Sequence, residues 1–415
     1  MPDAVVIGGG AAGIAAARTL RDGGADVLLL EASTRLGGRA HTTAVDGMRL
    51  DLGCGWLHSA GRNPFVAEAE ALGLMVDRTP PGWDTQWREL GFTVEEHKAL
   101  GEAYEHFDAR GLELACGDED RSLADAVADE AWRPALENII GYVCGAPMAE
   151  ISVKDWAAYE RAGTDENWRV RDGYGTLIAA LALGLPVRLE TPARRIVHDG
   201  NAIRIETDQG ALESAVAVVA VPTTVLASGK LAFSPALPDK RDAAADLPLG
   251  LANKAFLRVQ ADAVALLEAE AHLRGDPHRA ETGSYKLRPF GLPVVEAFYG
   301  GAGAEALERE GPGAAAAFAT DELVGLLGSA WRERLSPMIE SRWRSEPYIG
   351  GAYSYARVGC RAARARLVEP VDGRLFFAGE ATSQCDFTTA HGAWATGLAA
   401  GRDALEALGL GAAAR

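Results

Sequence analysis

Gly8-Gly9-Gly10-Ala11-Ala12-Gly13 spaces three glycines as G-x-G-x-x-G directly after the apolar run Ala4-Val5-Val6-Ile7. A loop of this kind binds phosphate. Gly8 makes the tight turn, Gly10 lets backbone approach a pyrophosphate, and Gly13 lets the next helix pack closely on the strand. Ala12 falls in the first turn of that helix, where unpaired N–H groups and the positive dipole end meet the phosphates. A second apolar run, Val27 to Leu30, ends on Glu31, an acid placed to accept hydrogen bonds from a ribose. Strand, loop, helix, strand and terminal acid together predict a dinucleotide site. They do not separate FAD from NAD.

Two further stretches bear on that choice. Arg35-Leu36-Gly37-Gly38-Arg39 follows Glu31 at once. Gly38 allows another close backbone approach, and Arg39 can neutralise pyrophosphate with a planar fork of donors; a surface turn with two solvated arginines is the alternative. Near the other end, Leu375-Phe376-Phe377-Ala378-Gly379 delivers Glu380 at the end of an apolar strand, and Thr389-Ala390-His391-Gly392 opens a helix nine residues on. An acid at a strand end beside small residues is a cofactor contact, whereas a plain core strand explains only the apolar positions.

Glu31 followed by Leu36-Gly37-Gly38-Arg39 resembles the start of the flavin amine oxidases and their relatives among desaturases and protoporphyrinogen oxidases. The resemblance runs through nearly the whole chain. It takes in Asp51-Leu52-Gly53-Cys54-Gly55-Trp56, Pro192-Ala193, Trp343 and Gly350-Gly351-Ala352-Tyr353-Ser354. It implies that Gly55, Trp56, Ala193, Glu380 and Ala390 contact FAD, with Ala193 beside the adenine and Glu380 on the ribityl chain. The helix beginning at Ala390 would aim its dipole at the pyrimidine edge of the flavin, where negative charge develops on reduction. Where monoamine oxidases carry the flavin-linked cysteine, this chain has Ala352, so the FAD is expected to be non-covalent.

The resemblance also points to a reacting face. Lys254 would hold a water against the hydride-accepting nitrogen; read by itself, it is an edge lysine whose head snorkels to solvent. Tyr353 would form one wall of an aromatic cage for the amine, or else a core tyrosine. The other wall falls on Thr389, which is not aromatic, as in polyamine oxidases and lysine-specific histone demethylases. His58, two residues past Trp56, resembles the channel residue of polyamine oxidases and, while neutral, would bind the amine or help set its protonation state; lone histidines are also often structural. The expected reaction is hydride transfer from the amine α-carbon to FAD, giving an imine and then an aldehyde or ketone, with dioxygen reduced to hydrogen peroxide. Polyamines or other secondary amines are favoured. Arg62 does not match the carboxylate clamp of amino-acid oxidases. The alternatives are a desaturase acting on carbon–carbon bonds, an electron-transferring dehydrogenase and a flavin protein without turnover.

The elements that must position these residues follow from periodicity. The fold class is α/β: a Rossmann-like FAD-binding domain assembled from residues 1–82, 186–248 and 346–415, and an α+β substrate-binding domain from 83–185 and 249–345. Apolar spacing from Glu89 to about Leu185 is helical. Ala202 to Glu206, a turn at Asp208-Gln209-Gly210 and the run Ala215 to Val221 read as strand, turn, strand. Further strands lie between Lys254 and Tyr299, helices over Ala314 to Leu327 and Gly392 to Leu408, and a frayed tail from Gly409. Trp83, Trp87, Trp156 and Trp168 either line a pocket or fill the core.

Of the 415 residues 48% are apolar, enough for a sizeable core. A net charge of −17 argues against nucleic acid. No run is long enough to span a membrane, and no signal segment precedes Ala4. Five scattered cysteines show no metal spacing and suit a reducing cytoplasm. The partners expected are therefore a small-molecule amine and dioxygen, with neither nucleic acid nor membrane, for a monomer or homodimer.

Overall fold

The computed structural model describes residues 1–411; the expectation for the last four residues of the tail lies outside them. Five short strands, Ala4–Ile7, Val27–Leu30, Val187–Arg188, Val216–Val219 and Leu375–Phe377, form one parallel sheet. In spatial order they begin with Leu375–Phe377, followed by Val216–Val219, Ala4–Ile7, Val27–Leu30 and Val187–Arg188. Strands covered on both faces read as unbroken apolar runs. Val6, Leu29, Val218 and Phe376 face one apolar cluster, while Val5, Leu30, Val219 and Phe377 face another. The first cluster includes the helices Ala11–Asp22 and Ala390–Ala407, which meet almost backbone to backbone. A Cβ at Gly397 would lie 2.1 Å from the Ala12 carbonyl oxygen, so the last helix can clamp the first only where it has no side chain.

One sequence expectation is corrected here. The strand Ile203–Thr207 pairs antiparallel with Gly210–Ser214, not with the apolar run that follows. Gly210–Ser214 is half-exposed, as a hairpin edge requires, whereas Val216–Val219 is buried throughout and joins the parallel sheet. A continuous apolar run marks a two-sided strand, and the turn signal alone does not name its partner.

The helical stretch contains Val94–Leu114, Arg133–Cys144 and Val153–Ala162. The first opens on a capping box of Thr93 and Glu96. The segment Leu123–Ala126, read as helical, is a single 3-10 turn. The chain then returns through the strand Asn167–Val170 and the helix Tyr174–Ala180. Val170, Tyr174, Leu177 and Ile178 pack in the same cluster as Val6 and Leu29.

A second sheet is antiparallel and runs, in spatial order, His272–Arg274, Ser284–Leu287, Val294–Gly300, Ala252–Val259 and Leu335–Glu340. Alternate residues point to opposite faces. Leu257, Tyr285, Val295 and Ala297 pack on the helices Gly301–Glu310 and Ala314–Leu327. Lys254, Phe256, Ser284, Lys286, Glu296 and Phe298 line a cavity on the other face. Among the described residues no helix is long and apolar enough to cross a membrane.

Candidate active site

A cavity of about 1520 Å³ runs from the glycine loop to the second sheet. Gly8, Gly10, Ala12, Glu31, Gly38, Arg39, Gly55, Trp56, Ala193, Glu380 and Ala390 line it, as do Lys254, His58, Tyr353 and Thr389. Gly13 does not. Its role is packing, since a Cβ there would lie 1.8 Å from the Gly8 carbonyl oxygen. Gly8 has a φ of 108°, in the region glycine favours.

The loop fits a dinucleotide on its own geometry. The helix Ala11–Asp22 begins at Gly10 without a side-chain cap, so its first N–H groups are left for a ligand. A Cβ at Gly10 would meet nothing within 4 Å, which leaves open space where a pyrophosphate would lie. Glu31 holds the loop through the Gly9 N–H (2.6 Å) and the Ser33 N–H and hydroxyl (both 2.8 Å). A carboxylate has lone pairs left for a ribose.

Arg39 is not free in the pocket. Its Nη1 donates to Glu380 Oε1 (2.9 Å) and to the Ala352 carbonyl (2.6 Å), tying together two stretches far apart in sequence. Glu380 also accepts from the Ser354 hydroxyl (2.7 Å) and the Thr388 N–H (3.0 Å). Behind it lies a network that sequence reasoning missed. Arg364, fully buried, grips Asp155 with two bonds (2.7 and 2.8 Å) and donates to the Ser354 hydroxyl (3.0 Å). Burial pushes the Glu380 carboxyl upward, but Arg39, Arg364 and Ser354 outweigh it and hold it below the usual carboxylate range.

On the sheet side, Lys254 is 8% exposed and pairs with Glu296 at 2.8 Å. Its Nζ lies 2.9 Å from where a Gly55 Cβ would stand, so any larger residue at 55 would displace the ammonium. Asp51, whose carboxyl is raised by burial against the pull of Lys254, accepts from Thr42 (2.5 Å) and the Tyr174 N–H (3.0 Å). The Tyr353 hydroxyl donates to the Tyr142 carbonyl, and burial drives its ionisation far above the ordinary tyrosine value. Thr389 is the N-cap of the last helix. Its hydroxyl donates to the Asp386 carbonyl (2.6 Å) and accepts from the Gly392 N–H (3.0 Å), so the cap already engages its proton. Arg62 is bound to the Asp386 carboxylate (3.0 Å).

His58 Nδ1 lies 2.7 Å from the Asn167 amide oxygen. Asn167 Nδ2 donates to the Asp165 carbonyl (2.9 Å), which orients that amide and assigns the His58 proton to Nδ1. Burial lowers the His58 pKa to about 4, so the ring is neutral at pH 7 with Nε2 as an acceptor. Of the four tryptophans, Trp83 lines the cavity, 4.9 Å from Trp56. Trp156 is core, Trp87 packs beneath the second sheet, and Trp168 lies under Arg78.

Glu160 on the helix Val153–Ala162 is a further cavity residue without a sequence signal. Burial, and then Asp108 and Asp165, raise its pKa to about 7. An unfolded glutamate titrates near about 4.3, so the folded protein keeps this proton longer, and the associated stability is lost as pH rises toward 7. Glu160→Gln should therefore stabilise the protein at pH 8, on the order of 2 kcal/mol after screening at the cavity wall, with no gain at pH 4. Urea unfolding at the two pH values checks this; an equal effect at both would show that no raised carboxyl is involved.

Comparison with known proteins adds a family. The family model for flavin containing amine oxidoreductase matches residues 11–405. Polyamine oxidase 2 of Arabidopsis thaliana is 34% identical over 439 aligned positions, covering 97% of this chain and 88% of that protein. Two solved structures share the fold. Wild-type putrescine oxidase bound to putrescine has a TM-score of 0.80 at 20% identity. Cyclohexylamine oxidase from Brevibacterium oxydans IH-35A has 0.79 at 24%. Each alignment covers 98% of this chain and 99% of the other.

Proposed function

The chain belongs to the flavin-containing amine oxidoreductases and is an FAD-dependent amine oxidase, and we propose that its substrate is a polyamine or another secondary amine and that its FAD is held non-covalently. One observation carries the reading: a single cavity joins the uncapped helix at Gly10 to the sheet face bearing Lys254. Gly8, Gly10, Ala12, Glu31, Gly38, Arg39, Gly55, Trp56, Ala193, Glu380 and Ala390 would hold FAD there, with Gly13 supporting the loop. Ala352 has no sulfur to attach a flavin. The FAD-binding unit comprises 1–82, 186–248 and the segment after 346. Its core packing supports adding Asn167–Val170 and Tyr174–Ala180, which the sequence reading left in the substrate unit.

When bound, FAD would supply a hydride acceptor for the amine α-carbon and a route for the electrons to dioxygen, released as hydrogen peroxide. The protein supplies position and field. His58, neutral with Nε2 free to accept, takes a hydrogen bond from the amine nitrogen. Tyr353 presents a ring whose hydroxyl is already engaged, so it orients substrate by its face. Lys254, fixed by Glu296, places a donor beside Gly55, where it can hold a water at the reacting edge. The acids Glu102, Glu105, Glu160 and Asp165 line the same cavity and favour cationic amines. The imine product hydrolyses to a carbonyl compound and a smaller amine. All five cysteines are free thiols, which supports a cytoplasmic protein, and the net charge of −17 supports one that binds no nucleic acid. We take it to act as a monomer or homodimer away from membranes.

The test is anaerobic mixing of the yellow holoenzyme with spermidine, spermine, acetylated polyamines, monoamines and aromatic secondary amines. Polyamines or secondary amines should bleach the oxidised flavin band, and air should restore it. A flavin that dithionite bleaches and no amine does would overturn the reading.

A further inference from the structure

The cavity face of the second sheet carries a cation with no counter-charge. In register across four neighbouring strands, Arg274 stands opposite Ser284, Ser284 opposite Phe298, and Phe298 opposite Lys254. Three inter-strand spacings separate Arg274 from Lys254 along one face, about 14 Å. All four residues line the cavity. The other basic groups on this side are neutralised. Lys254 pairs with Glu296 (2.8 Å), Lys286 with Glu270 (3.2 Å), and Arg169 with Asp77 (3.0 Å) and Glu270 (2.6 Å).

Arg274 differs. Its Nη1 is buried without a hydrogen-bond partner, and among the described residues no carboxylate lies within ion-pair distance of it. Its backbone is nevertheless fixed on both sides by the Gln86 amide, at 2.8 and 3.0 Å. The groups nearest in charge are the neutral hydroxyls of Tyr142 and Tyr104, and burial disfavours the charged guanidinium. An arginine nevertheless stays protonated in a protein. An orphan buried charge is costly unless something pairs with it.

We propose that Arg274 is a carboxylate-binding subsite at the far end of the substrate cavity, so that the preferred amines carry a carboxylate remote from the nitrogen that is oxidised. This rests on the reading of the cavity as an amine site. The planar guanidinium fork matches a carboxylate with two parallel hydrogen bonds. One unpaired cation among neutral neighbours fits a monoanion better than a phosphate. Ser284, next in the row, holds His272 Nε2 at 2.8 Å and brings a hydroxyl to the same end.

The test uses the FAD-loaded protein and a series of ω-(methylamino)alkanoates of increasing chain length, each paired with its uncharged primary amide. At the chain length that spans the row, the acid should exceed the amide about tenfold or more in kcat/KM. Arg274→Gln should reduce that ratio to about two or less, and Arg274→Lys should keep part of it. Equal values for acid and amide across the wild-type series, which needs no variant, would overturn the proposal. So would a preference that survives in Arg274→Gln. If neither this series nor any polyamine bleaches the flavin, the oxidase reading falls, and the subsite is then judged on hexanoate alone. Thermal stabilisation by hexanoate of the wild type and not of Arg274→Gln supports the subsite; equal or no stabilisation removes it.

Discussion

Arg364→Met should destabilise the protein by about 3 to 5 kcal/mol and yield a chain that loses FAD on purification. Arg364 is fully buried and Asp155 is 1% exposed, so removing the guanidinium strands a carboxylate where water cannot reach it. Further contacts go with it. Nη1 no longer donates to the Ser354 hydroxyl (3.0 Å) or the Ala381 carbonyl (3.1 Å), and the cation leaves the Phe387 ring 3.6 Å away. The Ser354 hydroxyl is what connects this network to Glu380 (2.7 Å). Glu380 then loses one of the two arginines that hold its carboxyl below the usual range. A depressed carboxyl contributes stability above its unfolded pKa and loses it as pH falls through the folded value, so the variant should also lose less on acidification.

Structural and cofactor effects separate in the double variant Arg364→Met with Asp155→Leu. Replacing a buried pair by apolar residues is often neutral or better, so urea unfolding of the apoprotein should recover much of the single variant's loss. FAD content, read from the ratio of visible to ultraviolet absorbance, should not recover, because Ser354 and Glu380 still lack Arg364. A single variant within about 1 kcal/mol of wild type that keeps its FAD would mean the network supports neither the fold nor the site.

Part of this site was legible in the sequence because backbone geometry dictates residue type there. Gly8 needs a φ of 108°, and Gly13 has no room for a Cβ, so the loop can be read from its glycines. Glu31 and Glu380 were legible as acids ending apolar strands. The Asp155–Arg364–Ser354 network was not, because its two charges lie 209 residues apart and neither sits in a local pattern. Ser284-Tyr285-Lys286-Leu287 alternates and so announces a strand with two unlike faces. Nothing in that alternation says that the polar face meets a cavity rather than solvent, which is why Glu296 and Arg274 went unread. Thr389 was read as a pocket wall from resemblance, yet its hydroxyl caps a helix. A threonine with glycine three residues later carries both meanings, and only the hydrogen bonds choose.

Lys254→Met is expected to lower turnover with any accepted amine by about 10²-fold or more, the usual cost of removing one preorganised donor from a reacting centre, while FAD stays bound. Of the residues that would hold FAD, Gly55 stands beside Lys254 Nζ, whereas Glu31, Arg39 and Glu380 keep their own hydrogen bonds and retain the cofactor. The substitution also leaves Glu296 without its cation and takes from Asp51 the largest charge that offsets its burial. Lys254→Met with Glu296→Gln removes the stranded carboxylate and should restore thermal stability without restoring kcat. Lys254→Arg keeps the charge but brings a planar fork in place of a compact ammonium beside Gly55, where space is already short, so it should recover the fold and little of the rate. If Lys254 acts on the reacting centre, the loss falls in kcat, with KM nearly unchanged. A loss confined to KM, or a double variant that regains wild-type kcat, would make Lys254 a structural partner of Glu296 and leave the reacting edge of the cavity without an assigned donor.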